Sequence, residues 1–191
     1  APQLLEGLPK TVSDFGVGVS YTFDSRDFML NASRGWFMQL DLTTNPTFLG
    51  NNNTYWSAEL QLATYRKAWR GAIIAGELHT RQSTGQVPWP MLADVGSSNR
   101  MRGYYEGRYR DKNVIDAQVE LRQHIWHRNG IVLWLGAAEV FPRYSDMRFS
   151  RILPNAGVGY RWQFKKGVNV RLDYGFSRNG TGFIFNINEA F

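Results

Sequence analysis

The sequence has no cysteine, only three histidines and no continuous apolar run of the roughly 18 residues that a membrane-spanning helix needs. Without cysteine there is no disulfide framework and no thiol chemistry. The histidines, His79, His124 and His127, are dispersed, whereas a metal centre wants three or four convergent ligands. His79 shares a strand parity with Glu77 and is read as one half of an interior hydrogen-bonding pair. Nothing resembles a nucleophile elbow. Gly16-x-Gly18 and Gly157-x-Gly159 are followed by no helix, so a dinucleotide loop is not indicated. These absences predict a protein that is not an enzyme, with no metal and no cofactor. They leave a membrane β-barrel open, because its hydropathy signal per segment is weak. No signal peptide is visible, and a start of APQLLEG without Met reads as a processed or recombinant product.

What is present is period-two alternation. The chain of 191 residues is one domain in size, 43% hydrophobic, with 19 glycines, 12 phenylalanines, nine tyrosines and seven tryptophans. Its mean hydropathy of -0.39 taken alone suits a soluble protein. The net charge of +6 is spread over turns and polar strand faces, with no basic helix or run, so nucleic acid is not the expected partner. In the last stretch, GFIFNINEAF, Phe183, Phe185 and Ile187 alternate with Ile184, Asn186 and Asn188, and a strand is expected to run on to Phe191. Val168, Val170, Leu172, Tyr174 and Phe176 alternate with Asn169, Arg171, Asp173, Gly175 and Ser177. Seven earlier segments behave alike, near 14–23, 34–44, 54–65, 71–81, 113–125, 131–141 and 155–164. Residues 131–141 are the most uniformly apolar, and their facing is not fixed by pattern.

Tight connections at 66–70, 127–130 and 165–167 alternate with long ones at 45–53, 82–112 and 142–152, the asymmetry of an outer-membrane barrel with short periplasmic turns. The segment 24–33 is the exception, on the short-turn side but not tight. Aromatics gather near strand ends, with Tyr65, Trp69, Trp126, Trp162, Phe164 and Phe191 at one end. At the other are Tyr109, Phe141, Tyr144, Phe149 and Phe176, and the two sets read as interfacial girdles. The opposite parity carries Glu59, Glu77, Asp116, Glu120, Arg122, Arg161, Arg171 and Asp173, with Asp41 and His79. In a narrow barrel these charges must pair, forming an inward network that fills the interior. The predicted fold is therefore all-β, a meandering antiparallel transmembrane barrel of about 8–10 strands over residues 13–191. Residues 1–12 form a tail or partial strand. Nine readable strands cannot close antiparallel, so ten or eight within one chain are favoured over closure by a second copy or a parallel seam.

Tyr21–Asp27 (YTFDSRD), Arg34-Gly35-Trp36, Met101-Arg102-Gly103-Tyr104, Glu120-x-Arg122 and the terminal FIFNINEAF stand in a recognisable order. Together they resemble the C-terminal half of the BamA-like outer-membrane assembly and translocation barrels, the bacterial surface antigen family. The resemblance covers residues 14 to 191. It implies that Arg102, Gly103 and Tyr104 form the tip of a long extracellular loop folding back into the barrel, with Arg102 docking on inward acidic groups such as Glu120. It implies also that Phe183, Phe185, Ile187 and Phe191 form the C-terminal signal read by the barrel assembly machinery. The family's Phe-x-Asp-x-Gly after Glu-x-Arg is not intact: its aspartate place holds Gly136 and its glycine place Ala138, so one partner of Arg102 is missing. Family members usually have sixteen strands and periplasmic domains, and the sequence reads as a minimal member without them. The expected location is the bacterial outer membrane, with lipid, the assembly machinery and a second copy as partners. Three classes stay open: an insertion or translocation barrel, a small structural or solute-related barrel, and a soluble antiparallel binding module.

Overall fold

The alternating segments become long strands, in a computed structural model that describes residues 12–191. They are β1 (Val17–Asp24), β2 (Gly35–Asn45), β3 (Tyr55–Lys67), β4 (Ala72–Gly85), β7 (Asn113–Trp126), β8 (Asn129–Phe141), β9 (Leu153–Lys165), β10 (Val168–Ser177) and β11 (Gly180–Ile187). They pair in the order β1-β2-β3-β4-β7-β8-β9-β10-β11, each antiparallel to its neighbours. The long connection 86–112 is not wholly irregular. Its β5 (Ala93–Val95) and β6 (Tyr109–Asp111) form a separate antiparallel pair.

One face of the sheet is apolar and open to its surroundings: Val19, Tyr21, Trp56, Leu133, Leu135, Tyr174, Phe183 and Phe185 are all exposed. The other is polar and largely buried, with Glu77, Asp116, Glu120, Arg122, Arg161, Arg171 and Asp173 hidden. That inversion is what hydrocarbon outside and a filled interior demand. The register keeps it across the sheet, since Leu40, Leu60, Thr80 and Ile115 stand in one outward row beside the inward row Asp41, Glu59, Arg81 and Val114.

Three sequence readings need correction. Among the described residues the main sheet has nine strands and is open, since β1 and β11 do not pair. Of residues 1–12, the only place in the chain left for a tenth strand, 1–11 lie outside the described residues. The last strand stops at Ile187 because Asn188 takes a left-handed φ of 70°, and its N–H donates to the Asn169 carbonyl at 2.6 Å. The tail then turns inward, placing Phe191 6.1 Å from Tyr65. Tyr65, 1% exposed, and Phe191 are therefore not girdle residues, and Phe141 is buried beneath Tyr144. The β10–β11 connection, on the long-loop side, is tight, a two-residue turn at Arg178-Asn179.

The interior is filled from both ends. At the short-turn end, segment 25–34 is shaped by Asp27, whose Oδ1 accepts the Ser33 and Arg34 N–H groups at 2.8 and 3.2 Å. Its Ala32 packs with Ala63, Tyr65 and Ala75, and Phe37 and Phe191 close over them. At the long-loop end, Ala93, Val95, Met101 and Tyr104 pack on Val114, Ala138 and Leu153. The two free edges approach at the short-turn rim, where the Glu189 N–H donates to the Leu30 carbonyl at 3.3 Å.

Candidate functional site

The centre of the filled interior is a loop arginine held by strands. Residues 101–104 form a turn, with the Tyr104 N–H donating to the Met101 carbonyl at 3.2 Å and left-handed φ values of 51° at Met101 and 101° at Gly103. The turn rests on glycine: a Cβ at Gly175 would strike the Arg102 carbonyl, and one at Gly182 would lie 3.0 Å from the Gly103 Cα. Around it, Ser177 Oγ donates to the Gly103 carbonyl at 3.0 Å and the Tyr104 hydroxyl to the Pro154 carbonyl at 2.7 Å. Asn155 Nδ2 donates to the Arg102 carbonyl. The backbone of the tip is thus tied to β9, β10 and β11 before its side chain is considered.

The Arg102 side chain is completely buried and meets two carboxylates from strands that are not neighbours. One guanidinium nitrogen, Nη1, donates to Asp173 Oδ2 at 2.7 Å, and Nη2 pairs with Glu120 Oε1. The guanidinium lies 3.7 Å from the Trp134 ring centre. A planar fork with a weakly hydrated, stackable face fits this setting, and an ammonium does not. Gly136 offers Arg102 no carboxylate, and its second carboxylate partner is Asp173 on β10. The side chain beside the gap is Trp134, inward on β8, packed over Gly157, where a Cβ would collide with its ring.

Further charges knit the site together. Arg122 Nε donates to Glu120 Oε2 at 2.8 Å, and Arg161 Nη1 to Asp173 Oδ1 at 2.5 Å. Arg161 Nε also donates to Glu189 Oε2 at 2.7 Å, and Arg171 Nη2 to the Ser98 carbonyl at 2.7 Å. Arg171 Nε stands 3.5 Å from Asp173. Of the acidic residues singled out in sequence, Glu59, Glu77 and Asp116 are not part of this cluster. Glu59 and Asp116 instead flank His79, whose ring contacts Asp116 at 2.7 Å and Glu59 at 2.9 Å. Glu77 does not pair with His79 but accepts from Gln61 and Gln118, each at 2.6 Å. Gln118, which also faces Arg102 at 3.5 Å, connects the two groups.

Glu189, Gln118, Asn155 and Trp134 were not anticipated. Glu189 lay in a strand read as continuing outward, and only the Asn188 kink brings it in. The glycines at 157, 175 and 182 were the available signal, since successive small residues on an inward parity mark where another chain segment approaches.

Phe183, Phe185 and Ile187 stand on the outer face, 67%, 65% and 56% exposed, while Phe191 faces the interior beside Arg122. Among the described residues no group of His, Asp and Glu is arranged to hold a metal ion. Among the described residues no helix is long and apolar enough to cross a membrane, which says nothing of strands.

An antiparallel sheet with an apolar exterior, a charged interior and a loop tucked into it defines the class as an outer-membrane β-barrel. The chain belongs to the Omp85 superfamily, whose domain model matches residues 6–191. It is a bacterial outer-membrane protein of a family concerned with protein insertion and translocation, and corresponds to the C-terminal part of the barrel. Among solved structures it is similar to BamA from Haemophilus ducreyi lacking POTRA domains 1-3, with a TM-score of 0.72 and 15% identity. The likeness covers 91% of this chain and 41% of that one, so the chain spans less than half the length of its solved relative. A search of curated proteins finds no match.

Proposed function

We propose that this barrel segment takes part in inserting or translocating other proteins at the outer membrane. The observation that carries this reading is a sheet that is cross-tied by a loop in one half and, among the described residues, unpaired at both edges. The tip of the long loop ties β7, β8, β9, β10 and β11 together around Arg102, while among the described residues β1 and β11 each have one unpaired edge. An unpaired edge is a template for another strand, and a buttressed wall behind it supports its use without collapse of the sheet. The reading of the chain as a small solute pore is less well supported, because the interior of that half is occupied by side chains and loop. The reading as a minimal member without periplasmic domains rested on where the sequence starts, which carries no weight in a chain spanning 41% of a solved relative. The barrel assembly machinery and a second copy of the chain remain proposed partners, the former through the outward row Phe183, Phe185 and Ile187.

The test is reconstitution. Liposomes bearing this protein should speed the folding of a second, unfolded β-barrel relative to protein-free liposomes of the same lipid. Equal rates in the two preparations would remove the proposal.

A further inference from the structure

Connection 142–152 does not stand away from the barrel but lies back on its outer wall. Glu139, on the lipid-facing parity of β8, is nevertheless only 5% exposed, because its Oε1 accepts the Arg148 N–H at 2.8 Å and pins the loop there. Two short 3₁₀ turns, Tyr144–Asp146 and Phe149–Arg151, shape the segment. Beneath it the register sets Ala117 directly beside Ala137, with Leu78 on the other side of Ala117. Two alanines among larger neighbours leave a trough in the apolar wall. Ile115 bounds it on the strand side, Met147 and Ile152 overhang it, and it encloses about 240 Å³.

The head of this trough is charged. Arg143, Arg148 and Arg151 are all exposed, and none forms an ion pair among the described residues. Phe149, 94% exposed, and Tyr144 are interleaved with them along the chain. The segment thus presents three unmatched guanidiniums at the long-loop rim and a hydrocarbon-lined slot running from there toward the membrane centre.

We infer that this is a binding site for a phosphate-bearing lipid of the outer leaflet, with the phosphate against the arginines and an acyl chain in the Ala117–Ala137 trough. Charge complementarity selects an anionic head, and guanidiniums match phosphate oxygens in a two-pronged geometry. The orientation of the slot, polar at the rim and apolar below, is that of an amphiphile already lying in the leaflet. Neither feature belongs to the Arg102 cluster, which is on the opposite face of the sheet.

Native mass spectrometry of the detergent-purified protein with added diphosphorylated lipid A tests this, with the same lipid stripped of its phosphates as the comparison. The wild-type protein should retain the phosphorylated form preferentially. Combined R143E, R148E and R151E substitution, all at exposed positions, should weaken retention by about tenfold or more. A137W, which fills the trough and leaves the arginines in place, should also weaken it, whereas K165E with K166E at the opposite rim should leave it unchanged. Equal retention of the dephosphorylated lipid, or an equal loss from K165E/K166E, would overturn the assignment. So would unaltered retention in A137W, which would leave only a diffuse attraction of charge.

Discussion

Arg102 holds the interior together because its two Nη groups reach two carboxylates while the guanidinium face lies on an aromatic ring, from strands that would otherwise meet only around the curve of the sheet. Removing it strands Glu120 and Asp173 beside the remaining arginines with a partner lost. Breaking a buried pair from one side costs about 3–5 kcal/mol. Arg102→Ala should therefore lower the urea midpoint of unfolding, read from the heat-modifiable gel shift, by a corresponding amount. Arg102→Lys should recover only part of it, because an ammonium cannot span both carboxylates. Full recovery by lysine would mean that charge alone matters. On the periplasmic side, Asp27 gives a second test at this scale. Partial burial pushes its carboxyl up, but hydrogen bonds from Ser33 and Arg34 hold it below the usual range. A carboxyl depressed in the folded state stabilises the fold above its unfolded pKa, and that contribution disappears as pH falls through the folded value. Acidification should thus loosen segment 25–34, seen as faster proteolysis near Arg26 and Arg34, and Asp27→Asn should remove the pH dependence.

At the scale of elements, strand identity and facing were legible because two environments imposed two residue sets with a period of two. Val170 against Arg171, or Phe185 against Asn186, can be sorted without coordinates. Legibility failed where a single backbone conformation redirects the chain. Asn188 adopts a left-handed φ, and with that turn Glu189 and Phe191 change from an outward strand to interior packing. It also failed on β8, where Trp134 faces inward and Glu139 outward. A tryptophan on the charged side and a carboxylate on the apolar side make sense only once Gly157 and the Arg148 N–H are known to meet them. The loop tip depends on a third kind of information, the close approach of two backbones at Gly175. Gly175→Val should push the turn 101–104 off the wall. Trypsin should then cut at Arg100 and Arg108 faster than it does in the folded wild-type protein. Unchanged resistance would mean that the loop is held elsewhere.

For the whole molecule, the direction of the edges limits how the sheet closes. Strands β1 and β11 both run from the long-loop rim to the short-turn rim, so an all-antiparallel closure requires an odd number of further strands between them. A second copy in the same membrane orientation presents edges running the same way, and a pair of chains would close through two parallel seams. The outer face must meet hydrocarbon in either case. Leu62→Arg, at the outward middle of β3, should cost about 2–4 kcal/mol in a lipid bilayer. The chain lacks cysteine, so single cysteines at Leu60 and Gln61 in β3 can be spin-labelled without background. In liposomes, collisional relaxation should show the label at 60 accessible to oxygen dissolved in the acyl chains. The label at 61 should be shielded from oxygen and report the polar interior. The reverse assignment, or equal oxygen accessibility at both positions, would contradict a charged interior enclosed by a lipid-facing aromatic wall.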